Sequence, residues 1–177
     1  MNLPNPPMTR TNHPGRPEPG AGITVQRATR AARLPRGADL PAWVRAAAGS
    51  AAGAVTLRLT GWAESRRLNR RWRGKDRSTN VLAFPAGVSG ELGDLIICLP
   101  LVHREAREQG KTALAHLAHL VVHGTLHLLG HDHDNPGPAR KMEALETRLL
   151  RRLGFPDPYQ PATPVPARPL RARRRTA

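Results

Sequence analysis

From Thr112 to Leu129 the chain is apolar almost without a break, and a run of that length has few ways to fold. It predicts a single helix, N-capped by Thr112, with apolar side chains over most of its circumference. Such a helix belongs inside a domain rather than on its surface. Of the four histidines at its C-terminal end, three carry a telling spacing: His123, His127 and, beyond Gly130, His133. His123 and His127 are four residues apart and project from one face, their Cβ atoms about 5–6 Å from each other. Gly130 permits the left-handed turn that ends a helix, which lets His133 fold back to the same point. Three neutral imidazoles on one ion leave a fourth position for water, the arrangement of a catalytic zinc rather than a closed structural one.

Register has to be argued, because His116 and His119 lie on nearly the same face. His119 and His123 form another pair at the same spacing, but no histidine follows that pair after a helix-ending glycine. The register starting at His123 supplies two helical ligands, a break and a third ligand.

The string His-Gly-x-Leu-His-Leu-Leu-Gly-x-Asp-His at 123–133 resembles the signature of the YbeY family, bacterial metal-dependent endoribonucleases of ribosomal RNA maturation. Its spacing is also similar to that of metzincin proteases. Those carry Glu directly after the first histidine as general base, where this chain has Gly124, and that argues against peptide hydrolysis. His131 stands where the family usually has Tyr. A place on the ion, behind a ligand or towards solvent is open to it, and the last two are favoured. A second stretch, Arg73-Gly-Lys-Asp-Arg-Ser-Thr-Asn80 leading into Val81-Leu-Ala-Phe84-Pro85, is similar to the family pattern as well. Ser78 and Ala83 depart from its usual Pro and Ser.

The resemblance runs from about Leu68 to Gly154 and more thinly back to Ile23. It implies an α+β domain, a small mixed β-sheet packed against helices with a zincin-like metal helix. It implies Arg73 as the catalytic residue, gripping a phosphate bidentately, with Lys75 as a further phosphate contact. The activity implied is a single-strand-specific endoribonuclease acting in rRNA maturation (3′-end processing of the small-subunit RNA) and ribosome quality control. The cofactor is one Zn²⁺ per chain, although imidazoles suit other divalent transition metals too. The partners implied are ribosomal RNA and the small ribosomal subunit. Two other functions stand beside this one: a metzincin-like metallopeptidase, and a non-catalytic ribosome-assembly factor with a structural metal.

Charge points the same way without deciding: 28 Lys and Arg against 13 Asp and Glu give +15 over 177 residues, which suits a polyanionic partner. Basic tails and biased composition inflate that total. Cys98 is the single cysteine, which excludes an internal disulfide framework; its apolar neighbours predict an inert buried thiol. No apolar stretch reaches the length of a membrane span, and no signal peptide is evident, so a soluble cytoplasmic protein is expected.

Three regions follow: a disordered N-terminal tail at 1–22, the metal-dependent endoribonuclease domain at 23–155, and a basic Pro/Arg-rich disordered tail at 156–177. Within the domain, alternation predicts strands over Ile23–Arg27, Ala54–Leu59 and Val81–Phe84, with another from Gly90 to Cys98. Helices are expected over Leu40–Ala52, Trp62–Trp72, Pro100–Gln109 and Ala139–Leu153, the last preceded by a turn at Asn135-Pro-Gly-Pro138. Trp62, Leu68 and Trp72 share one side of their helix and read as core anchors. Glu143 and Glu146 are candidates to orient a ligand imidazole, with solvent-facing carboxylates as the expected outcome. Asp94 is assigned no chemistry.

Overall fold

The computed structural model describes residues 22–51, 53–131 and 135–160. Of the two expected tails, 1–21 and 161–177 lie outside the described residues. The elements are β1 (Ile23–Arg27), α1 (Leu40–Ala48), β2 (Ala54–Thr60), α2 (Trp62–Arg73), β3 (Val81–Pro85), β4 (Glu91–Cys98), α3 (Leu99–Glu108), α4 (Ala113–Leu128) and α5 (Pro136–Arg152). The sheet order is β1-β2-β4-β3, parallel except where β3 pairs antiparallel with β4. This is the α+β domain with a small mixed sheet that the sequence led us to expect.

Strand alternation sorts the side chains between two faces. Val55, Leu57 and Leu59 of β2 and Leu95 and Ile97 of β4 join one apolar cluster with α1, α3, α4 and α5. Leu82 and Ile96 are paired across β3 and β4 and buried outside that cluster, on the face where Trp72 of α2 meets Phe84 edge-on at 5.8 Å. At the centre of the larger layer, Leu117, Val121, Val122 and Leu126 of α4 are all buried. Burying each contributes about 1.5–3 kcal/mol, against a helix-propensity cost for valine of at most about 0.7 kcal/mol. Packing therefore fixes α4 as a helix. It approaches the sheet closely at Gly124, where a Cβ would sit 2.8 Å from Leu95 Cδ2 and 3.2 Å from Val81 Cγ2.

Three helices depart from expectation. α1 stops at Ala48 because Gly49 takes a positive φ of 59°. α5 begins at Pro136 instead of Ala139: the Pro-Gly-Pro stretch is the helix's first turn, where a missing N–H costs no bond. α2 turns Ser65 and Asn69 inward, because both hold the loop that follows. Trp62 is no core anchor; it is 40% exposed, with the Arg104 guanidinium 5.0 Å from its ring.

Glu105 of α3 ties three elements together. Its Oε2 accepts from His116 Nε2 of α4 at 2.8 Å and from Asn80 Nδ2, just before β3, at 3.0 Å. Burial would raise this carboxyl, but the hydrogen bonds from His116 and Asn80 outweigh it and hold Glu105 below its ordinary value of 4.5. A depressed folded-state value means the contribution is complete above about pH 4.5 and fades as pH falls through the lower value. Glu105→Ala is expected to cost about 1–3 kcal/mol at neutral pH. Urea melts should show its gap to wild type narrowing below that pH; a gap independent of pH would refute the charged network.

Candidate metal centre

The last turns of α4 place His119, His123 and His127 along one edge, each partly exposed on an otherwise buried helix. His123 Nε2 and His127 Nε2 lie 3.2 Å apart, with their rings at 76°. Imidazole nitrogens bound about 2.0–2.1 Å from one tetrahedral zinc stand roughly 3.3–3.4 Å from each other. The pair is spaced to share an ion. Behind it, His123 Nδ1 donates to Glu146 Oε1 at 2.8 Å. An ionised carboxylate only accepts, so Nδ1 carries the proton and Nε2 presents its lone pair, the usual state of a ligating histidine.

Gly130 turns the chain with φ 85°, and the N–H groups of Gly130 and His131 donate to His127 O at 3.0 Å and Leu126 O at 3.1 Å. His131 is exposed, which suits the second of its two favoured placements, towards solvent. His133, the expected third ligand, lies outside the described residues together with Asp132.

Glu146 overturns one expectation, since it is completely buried while Glu143 stays exposed. Its position was legible: it falls in the stripe of Met142, Leu149 and Leu150, and a carboxylate inside an apolar stripe has to be paired. Its Oε2 accepts from His119 Nε2 at 2.8 Å and from the Tyr159 hydroxyl. Burial would raise this group; the hydrogen bonds from His119, His123 and Tyr159 prevail and hold it down to about 2. Burial, then the contact with Glu146, pushes the Tyr159 hydroxyl well above its ordinary value.

His119, His123 and Glu146 each offer a ligand atom within 4.8 Å of one another and could hold a metal ion. The sequence reading set His119 aside and gave Glu146 no place on the ion. Their hydrogen bonds favour a different division of labour. An ion among these three would have to displace donors from both carboxylate oxygens, whereas one between His123 and His127 leaves that network intact.

Arg73 ends α2, and Lys75 follows Gly74, whose φ is 68°. Both are exposed, and among the described residues no hydrogen bond or ion pair joins either to His123 or His127. The loop carrying Lys75 is nevertheless well anchored. Arg66 grips Asp76 with bonds of 2.9 and 2.7 Å, while Asn69 and Ser65 donate to the carbonyls of Arg77 and Thr79, each at 2.7 Å. At its far end Val81 lies against α4 at Gly124. Cys98 is buried and its thiol is pushed up by that burial, in keeping with an inert group.

The profile of the family described as endoribonuclease YbeY matches residues 42–154. The endoribonuclease YbeY of Stutzerimonas stutzeri is 54% identical over 138 residues, 73% of this chain and 86% of the relative. That of Bordetella pertussis is 51% identical over 149 residues, 77% and 94% of the two chains. That of Aromatoleum aromaticum is 55% identical over 141 residues, 77% and 91%. A solution structure from Thermotoga maritima, 25% identical, aligns over 78% of this chain and 99% of its own with a TM-score of 0.49. No helix among the described residues is long and apolar enough to cross a membrane.

Proposed function

The chain belongs to the YbeY endoribonuclease family, and on that premise we propose that it hydrolyses single-stranded RNA in ribosomal RNA maturation, at the 3′ end of the small-subunit RNA. One zinc ion is held by His123, His127 and His133, and the protein works in the cytoplasm on or near the small ribosomal subunit. The observation that carries this reading is the 3.2 Å separation of the His123 and His127 Nε2 atoms. The rigid helix beneath them keeps both in place before any ion arrives.

Zinc at that point would supply a Lewis acid for the phosphoryl group and a means of acidifying water. Glu146 keeps His123 in the ligating tautomer. Arg73, exposed at the end of α2, offers two parallel donors to non-bridging phosphate oxygens and opposes the charge that builds in the transition state. Lys75 adds a point charge beside it, and the net charge of +15 draws a polyanion towards the surface. A metzincin's base would stand at position 124, where Gly124 is pressed against Leu95. Neither the metallopeptidase nor the non-catalytic assembly factor is favoured by the relatives.

Elemental analysis alongside cleavage of a single-stranded RNA tests the reading. His133→Ala is expected to lose zinc and cleavage together, whereas Arg73→Ala keeps its zinc and loses about 10²–10³-fold in kcat. Zinc retained by His133→Ala would remove that residue from the ligand set. Undiminished cleavage by metal-free wild type would end the proposal.

A further inference from the structure

Beyond α5 the chain stays on the domain. Phe155 packs edge-on to Trp43 with ring centroids 5.5 Å apart. Lys111 Nζ donates to the Pro158 carbonyl at 2.6 Å. Asp157 Oδ1 accepts from Thr147 Oγ1 at 3.2 Å and from the Tyr159 N–H at 3.0 Å. These contacts reach α1, α5 and the loop between α3 and α4 and fix where Tyr159 sits, five residues past the stretch that matches the family profile.

So placed, the Tyr159 hydroxyl donates to Glu146 Oε2, the oxygen that also takes the His119 Nε2 proton. Its ring meets that of His119 edge-on at 5.6 Å. A buried carboxylate held by one donor alone can swing about its side-chain torsions. Two further donors on the opposite oxygen remove that freedom, leaving Oε1 aimed at His123 Nδ1.

We propose that Tyr159 and His119 are positioning residues of the metal centre, clamping Glu146 so that His123 presents Nε2 beside His127. The inference rests on the ligand pair argued above. It assigns the segment 155–160 to the working site, and it makes His119 a donor to the carboxylate rather than a ligand.

Zinc affinity of the full-length protein, read by competition with a chromogenic chelator, tests it together with the visible absorption of the Co²⁺-substituted form. Tyr159→Phe keeps the ring and removes the donor. It and His119→Leu are each expected to weaken zinc binding about 10–100-fold and to shift the cobalt spectrum, in protein that still unfolds in one cooperative transition. His119→Gln, whose amide nitrogen can replace the Nε2 donor, should restore most of the affinity and the wild-type spectrum. Wild-type affinity in Tyr159→Phe and His119→Leu would overturn the proposal, as would a His119→Gln variant that loses its metal completely. Retention of zinc by His127→Ala marks the different failure, that of the ligand pair itself.

Discussion

His127→Ala is expected to leave a folded protein that holds no zinc and cleaves RNA no faster than the buffer blank. The side chain is partly exposed at the end of α4, outside the apolar cluster, so its removal opens no void in the core. Alanine is the best helix former, and α4 should keep its length. What is lost is one of two nitrogens 3.2 Å apart, and with it the chelate that the helix pre-arranges. Elemental analysis and a single-stranded RNA assay read the two losses, and wild type stripped with EDTA should behave like the variant. Should His127→Ala retain its ion while His119→Ala is empty, the centre would lie at His119, His123 and Glu146 instead.

Gly93→Ala is expected to be the most damaging small substitution in the sheet. Gly93 sits at φ 134°, and a Cβ there would fall 2.1 Å from the Phe84 carbonyl oxygen and 3.0 Å from Ala86 N. Both neighbours are backbone, so neither can rotate away. The strain lands where β3 and β4 pair, at Pro85 opposite Gly93 and Phe84 opposite Asp94. A cost of about 4 kcal/mol or more is expected, out of a total that for such domains is roughly 5–15 kcal/mol. Urea denaturation should show a much lower midpoint, and cleavage should fall with it, because β3 carries the Arg73–Asn80 loop to α4. A melt close to wild type would mean that the hairpin relaxes without loss.

How much of this could be read from the residues differs by element. The strands and α4 were legible because burial imposed period and length on them: Val55, Leu57 and Leu59 alternate as expected and are all buried. Spacing also placed His123 and His127 correctly beside each other. α2 misled because its buried positions, Ser65 and Asn69, are polar; they serve hydrogen bonds to a loop, which hydrophobic periodicity does not register. Glu146 was legible only in part: its place in the apolar stripe of α5 calls for a partner without naming one. Its partners come from residues 119, 123 and 159, and nothing local to α5 announces that three donors converge there. Composition places Tyr159 in the Pro-rich tail, whereas tertiary contacts hold it on the domain.

Gly124 carries one further consequence. On this scaffold a glutamate after the first helical histidine is opposed by packing. A glutamate introduced there, as metzincins require, meets Leu95 at its first side-chain carbon, 2.8 Å away, and Val81 at 3.2 Å. The Leu95 and Val81 side chains would have to give way before the new carboxylate could be tolerated. The contact that seats the helix against the sheet thus also keeps the metzincin base out of position 124.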